Sequence, residues 1–364
     1  MAAELFIGLM SGTSLDGVDA ALVDFSSGAP RLVAAHHRPY DDVLKADLLQ
    51  IHTAGADEIE RAALLGNRLS ERYAAVIGEL LAAARVEAGA IAAIGCHGQT
   101  VRHRPDLGFT TQLGNPARLA EITGICVVAD FRSRDVAAGG HGAPLAPAFH
   151  QAVFARPGVS RAVANLGGIA NLTRLAPGQT VIGFDCGPAN MLMDAWSQQA
   201  HGQHYDQDGG WAMSGALIPG LLAALLDEPY LKLAPPKSTG RELFNLAWLA
   251  PKIKAGYAAA DVQRTLLEFT SEALCRAVEK FCPGTEELLL CGGGARNLAL
   301  IKRVGERLHP LKVMVSDDAG IAAEHVEAMA FAWLARRALR NEPGNLPEVT
   351  GAKGLRVLGA IYPA

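Results

Sequence analysis

Three segments of this chain place glycine beside hydroxyl or amide side chains at the ends of apolar runs, a composition suited to holding phosphate. The first is Ser11-Gly12-Thr13-Ser14-Leu15-Asp16-Gly17-Val18-Asp19, set between the apolar Phe6–Met10 and the alternating Val18, Ala20 and Leu22. Its hydroxyls and bare backbone N–H groups can wrap an anion with no side-chain bulk in the way. The second is Asn165-Leu166-Gly167-Gly168, and the third is Gly292-Gly293-Gly294 with Asn297. Each alone reads equally well as a tight turn, and Gly294 as a helix entry; the recurrence of all three favours a nucleotide. A second group of polar residues stands just beyond apolar strands: His97 and Gln99 after Ile91–Cys96, and Asp130 and Arg132 after Ile125–Ala129. Ligands of α/β proteins sit beyond the carboxyl ends of strands. Asp185 ends another such run, Val181–Phe184, before the strand-breaking Gly187-Pro188. A carboxylate fixed there can serve as a general base or cap the helix that starts near Ala189.

The elements that must hold these residues alternate. After the N-terminal hairpin come an extended stretch over 32–37, a helical pattern over 59–84, the strand 91–96, a short helix over 116–123 and the strand 125–129. Val136–Pro144, with its three glycines and run of alanines, is the expected hinge. The pattern then restarts with strands at 161–166, 172–175 and 181–185, much as the chain began. Helical spacing returns over 261–281 (Val262, Leu266, Phe269, Ala273, Ala277), followed by the strand 287–291, a helix from about 297 and a last helix over 324–339. Strands joined by helices describe an α/β fold.

Composition bounds the partners. The chain has 364 residues, half of them hydrophobic, which suffices for two separate cores. A net charge of −4 without any basic stripe argues against nucleic acid or an anionic membrane. The six cysteines show no C-x-x-C pair and mostly lie in apolar or glycine-rich settings, as reduced core thiols do. With neither a signal peptide nor a membrane-spanning run in evidence, a cytoplasmic protein is expected. Lys237-Ser238-Thr239 lacks the preceding glycines and strand of a Walker loop, and the 11 histidines have no zinc spacing.

Two halves that each open with a strand meander and carry glycine-rich turns resemble the sugar kinase/heat-shock ATPase/actin superfamily. Within it, six blocks in order are similar to the anhydro-N-acetylmuramic acid kinase family. They are 8–17, His97-Gly-Gln-Thr100, Gln112–Pro116, Asp130–Asp135 with Ala138–Pro144, Gly183–Pro188 and Pro236–Arg241. The ending Gly359–Pro363 fits as well.

The resemblance implies a two-domain actin-like ATPase fold of ribonuclease H-like halves with an interdomain active-site cleft. Residues 1–135 with about 345–364 would form one half and 136–344 the other, swinging about 137–142. It further implies ATP with Mg²⁺, 1,6-anhydro-N-acetylmuramic acid as substrate, a homodimer, and a role in cell-wall recycling. Asp185 would activate water at C1. Ser11–Asp19 and Asn165–Gly168 would hold phosphates, and Gly292–Gly294 with Asn297 would flank adenosine. His97, Gln99, Asp130, Arg132 and Glu327 would bind the sugar. Arg132 or Arg134 suits its lactyl carboxylate, unless either simply pairs with Asp135. Glu327, at the start of an apolar helical face, either orients a hydroxyl or water or is a solvated helix position. Met10 stands where many superfamily members carry a metal-linked Asp, which leaves Asp16 or water for the metal. A filament or conformational ATPase, and a kinase of another carbohydrate, are the competing readings.

Overall fold

A computed structural model describes residues 4–12 and 15–364. The chain forms two compact units, one running up to Phe149 and resuming over His325–Ala364, the other spanning His150–Glu324. The first contains the strands β1 (Leu5–Met10), β2 (Gly17–Asp24), β3 (Arg31–Pro39), β4 (Ile91–Cys96), β5 (Gln99–Arg104), β6 (Phe109–Leu113) and β7 (Val127–Ala129). The second contains β8 (Arg161–Leu166), β9 (Ile169–Leu175), β10 (Ile182–Pro188), β11 (Glu287–Cys291) and β12 (Lys312–Val315). The chain's last strand, β13 (Ala360–Tyr362), returns to the first unit and pairs antiparallel with β7.

The two sheets repeat one plan. In the first the order is β13-β7-β4-β1-β2-β3, and in the second β10-β9-β8-β11-β12. Each begins with an antiparallel meander (β1–β3, β8–β10), adds a strand parallel to the first of the three (β4, β11), and then a further parallel strand (β7, β12). This duplicated mixed sheet is the actin-like arrangement of ribonuclease H-like halves. The β5–β6 ribbon is an insertion in the first unit.

Side-chain alternation decides what covers each sheet. On β1, Leu5, Ile7 and Leu9 point to one face, where the helix Glu58–Ala84 buries Leu65, Leu69, Tyr73, Val76, Ile77 and Leu80 against them. The other face presents Gly8 and, on β4, Gly95. A β-carbon at either would collide with backbone of the helix Val326–Leu339, at Ala328 and Phe331 respectively. The missing side chains let that helix lie directly on the sheet.

The unit boundaries depart from the expected ones. The chain first crosses within the helix Ala146–Phe154, after the glycine run, and returns just ahead of Val326–Leu339. Packing explains both differences. Val326–Leu339 lies on β1 and β4, so it belongs to the first unit. The glycine run is tied there too: the buried Asp135 carboxylate accepts from Gly142 N (2.8 Å), Asn345 Nδ2 (2.8 Å) and Thr350 Oγ1 (2.8 Å), while His141 N donates to Thr350 O at 2.7 Å. Residues 137–142 are thus anchored inside one unit. No helix among the described residues is long and apolar enough to cross a membrane.

Candidate active site

β10 and β9 pair so that Asp185 lies opposite Asn171. Directly opposed residues share a face of the sheet, and Asn171 Nδ2 donates to Asp185 Oδ1. The second carboxylate oxygen accepts the backbone N–H of Thr239 at 2.9 Å. The backbone of Asp185 is held as well, its N–H donating to Lys237 O at 3.1 Å and its carbonyl accepting from Tyr230 Oη at 2.7 Å. Lys237 Nζ donates to Tyr230 O at 3.2 Å and lies 4.7 Å from the centre of the Tyr230 ring.

Asp185 is only 9% exposed. Burial lifts its carboxyl to about 6, opposed by the bonds from Thr239 and Asn171; Glu242 adds to the rise and Lys237 opposes it. Burial also lowers the Lys237 ammonium. The helix-cap alternative for Asp185 is not what the geometry shows: Ala189 precedes the helix Asn190–His201, and no side chain caps it. The result is a restrained carboxylate whose proton affinity falls near neutrality, as a general base requires. Thr239 and Lys237, whose Lys-Ser-Thr sequence superficially suggests a phosphate loop, instead support this carboxylate. Sequence reasoning gave Asn171, Tyr230, Lys237 and Thr239 no role; the only signal was the block Pro236–Arg241.

The two glycine turns of the second unit lie side by side. Gly292 has a left-handed φ of 79°, and a β-carbon there would collide with Asn165 Oδ1. A β-carbon on Gly294 would likewise press on Leu166. Asn190, unmarked in the sequence, closes the turn at Gly167: its Nδ2 donates to Leu166 O and its N–H to Gly167 O, both at 3.0 Å. Gly168 O accepts from Ala189 N at 2.9 Å. A β-carbon at Gly167 or Gly293 would make only an ordinary contact, with Ile169 O at 3.7 Å or Asn190 Nδ2 at 3.9 Å. Asn297 Oδ1 caps the helix Leu298–Leu308 by accepting Leu300 N at 3.0 Å, so that oxygen already has a structural partner.

In the first unit, Thr13 and Ser14 of the hairpin lie outside the described residues. Ser11 is buried and donates to Gln99 Oε1; its oxygen lies 2.7 Å from Tyr40 Oη. Gln99 Nε2 donates to Gly12 O at 3.2 Å. Leu15, Gly17 and Val18 are buried in the fold. Asp16 is exposed, and Asp19 Oδ1 lies 2.8 Å from His37 Nδ1.

His97 follows β4, with its N–H on Leu9 O at 3.2 Å. Arg132 directs Nε and Nη2 at the same ring nitrogen, His97 Nε2, at 3.2 and 2.9 Å, and donates Nη1 to Gly142 O at 2.7 Å. Burial, with the Arg132 charge adding to it, holds His97 down to about 3, so the ring is a neutral acceptor. Burial lowers Arg132 to about 10, against the opposing charges of Glu327 and Asp135. Glu327 sits in the first turn of Val326–Leu339, facing that guanidinium electrostatically rather than standing as a merely solvated position. Arg134 is exposed, and the Asp135 carboxylate accepts from Gly142, Asn345 and Thr350. Asp130 adopts a left-handed φ of 56° and accepts Ser133 N at 3.3 Å. Together with His97, Gly98, Gln112 and Ser133 it lines a cavity of about 260 Å³. Gln99 is fully buried, and its amide is engaged with the hairpin.

A sequence model of the family described as anhydro-N-acetylmuramic acid kinase matches residues 4–364. The chain is 56% identical over 367 residues to the anhydro-N-acetylmuramic acid kinase of Bordetella petrii, covering 99% of this chain and 97% of the relative. It is 54% identical over 364 residues to that of Chromobacterium violaceum, covering 99% of both. Among solved structures it is similar to the activator of the 2-hydroxyisocaproyl-CoA dehydratase from Clostridium difficile, at a TM-score of 0.46 and 12% identity, covering 90% of this chain and 92% of that one. Matched along almost its whole length and at more than half of its positions, the chain belongs to the anhydro-N-acetylmuramic acid kinase family.

Proposed function

We propose that the protein uses ATP and water to convert 1,6-anhydro-N-acetylmuramic acid to N-acetylmuramic acid 6-phosphate and ADP, in the recycling of cell-wall peptidoglycan. The observation that carries the chemistry is the buried Asp185 carboxylate, restrained at both oxygens and raised to about 6. An inverting glycoside hydrolysis needs a base for the attacking water and an acid for the leaving oxygen. In the anhydro sugar that leaving oxygen is O6 of the same molecule. As water attacks C1, Asp185 takes its proton, the C1–O6 bond breaks, and O6 forms its bond to the γ-phosphorus while the bond to ADP breaks. The phosphoryl group takes the place of the general acid, so one carboxylate suffices. The proton then leaves Asp185 for solvent.

On this reading the hairpin Ser11–Asp19, with Asn165, Gly167 and Gly168, serves the phosphates, and Gly292–Gly294 serves adenosine. His97, Asp130, Arg132 and Glu327 serve the sugar. Magnesium would accompany the nucleotide. Among the described residues no three His, Cys, Asp or Glu side chains gather to hold a metal, but Mg²⁺ bound chiefly by phosphates and water needs only one or two carboxylates. The exposed Asp16 fits that demand. A homodimer working in the cytoplasm completes the reading.

Turnover of ATP and the anhydro sugar in heavy-oxygen water tests it. The product must carry phosphate on O6 and one solvent oxygen on C1. Phosphorylation without solvent oxygen at C1 would remove the hydrolytic step and Asp185's task with it.

A further inference from the structure

We propose that Gln99 is a positioning residue for the nucleotide, holding the Ser11–Gly12 turn in its phosphate-binding shape, rather than a ligand of the sugar. The inference rests on the reading that this hairpin holds ATP phosphates.

Both ends of the Gln99 amide meet the turn. Oε1 accepts from the Ser11 hydroxyl, and Nε2 donates to Gly12 O at 3.2 Å. These partners fix the amide's orientation, because reversing it would set its oxygen against the Gly12 carbonyl. Since the Ser11 proton goes to Gln99, the Tyr40 hydroxyl is the donor in its 2.7 Å contact with Ser11 Oγ. Burial pushes Tyr40 up to about 12, keeping it protonated for that task. The turn is therefore held by side chains reaching from outside the hairpin, Gln99 from β5 and Tyr40 from just after β3.

The energetics favour positioning over direct contact. A glycine-and-hydroxyl turn samples many conformations, and ordering it only when nucleotide arrives would weaken binding. To touch a sugar, Gln99 would have to leave both partners while 0% exposed, abandoning Gly12 O and the Ser11 hydroxyl in an unsatisfied state. The residue also sits two positions from His97, whose ring takes the Arg132 fork and whose N–H is bonded to Leu9 O. A ligand that moves the His97–Arg132 pair would thus reach the phosphate turn through one short segment.

The experiment is calorimetric titration of the full chain with a non-hydrolysable ATP analogue and, separately, with the anhydro sugar. Gln99→Glu keeps the acceptor for Ser11 but loses the donor to Gly12. Gln99→Met is near-isosteric and loses both, and serves if the first variant fails to fold; melting temperature identifies folded protein. The expected result is nucleotide affinity lower by about tenfold with sugar affinity within about twofold. A larger loss for the sugar than for the nucleotide, or unchanged nucleotide affinity, overturns the proposal. Gly12→Val separates the two layers. If it weakens nucleotide while the Gln99 variants do not, only the positioning role fails; if it too leaves nucleotide affinity intact, the hairpin reading itself fails.

Discussion

Thr239 donates its backbone N–H to Asp185 Oδ2 at 2.9 Å across 54 residues of sequence. A carboxylate expected to end its strand instead lies within β10, which runs on to Pro188; it is held by a loop from elsewhere in its unit, and Asn171 holds its other oxygen. Replacing Asp185 with Asn keeps size and one acceptor oxygen, turns the other acceptor into a donor, and removes the basic lone pair. We expect kcat to fall by about 10²–10⁴-fold, with nucleotide affinity little changed. Steady-state kinetics and calorimetry check both; an Asn variant keeping more than about a tenth of wild-type kcat would take the role of base away from Asp185.

Acid should silence the enzyme before it unfolds it. Asp185 is a competent base only when ionised, so kcat should decline as pH falls through about 6. Its contribution to stability runs the opposite way. The folded value lies above the ordinary 3.8, so that contribution is full below 3.8 and lost as pH rises through about 6. Asp185→Asn should therefore melt above the wild type in mildly alkaline buffer, and the gain should vanish in acid. A gain that persists unchanged in acid would contradict this sign.

Asn171 should reveal itself in the pH profile. Its hydrogen bond favours the ionised form of Asp185 against burial. Asn171→Ala should raise the acid-limb midpoint of kcat above its wild-type position while leaving the nucleotide KM alone. A uniform loss of kcat at every pH would point to simple structural damage.

The hairpin makes a separate prediction. In Gly12→Val a β-branched side chain enters the turn, occupying phosphate space. Nucleotide affinity should drop more than sugar affinity in calorimetric titration. Equal losses would indicate a general distortion of the first unit.

Gly95→Val tests the helix-on-sheet contact. Its first side-chain carbon would overlap the Phe331 carbonyl, so the helix Val326–Leu339 must shift. The expected cost is about 3 kcal/mol, read from denaturant unfolding. Wild-type stability in this variant would mean that the helix does not pack as described.

Long periodic elements were legible in the sequence because they announce their own burial. The helix Glu58–Ala84 and the strands Ile91–Cys96 and Glu287–Cys291 all fall where apolar spacing predicts them. The β5–β6 ribbon was not legible: in Gln99–Arg104 only Val101 is apolar, so no apolar alternation marks a strand. Asp185 could be picked out as the carboxylate that follows the apolar run Val181–Phe184, although β10 does not end there but continues to Pro188. Its partners could not, since Asn171 depends on the β9–β10 register and Thr239 on a loop whose composition suggests nothing but a turn. Asn297 shows the opposite failure, a glycine-turn neighbour whose side chain caps a helix.

The interrupted first unit has a consequence for how the protein is made. The helix that covers Gly8 and Gly95, and the strand that pairs with β7, are both encoded after the entire second unit. On the ribosome, the opening meander must wait for its cover while residues 150–324 are synthesised, an interval of roughly ten to thirty seconds at about 5–20 residues per second. The second unit, continuous in sequence, can close first. Vectorial synthesis therefore reverses the usual order, leaving the amino-terminal sheet with one face uncovered until residues 326–339 and 360–362 emerge.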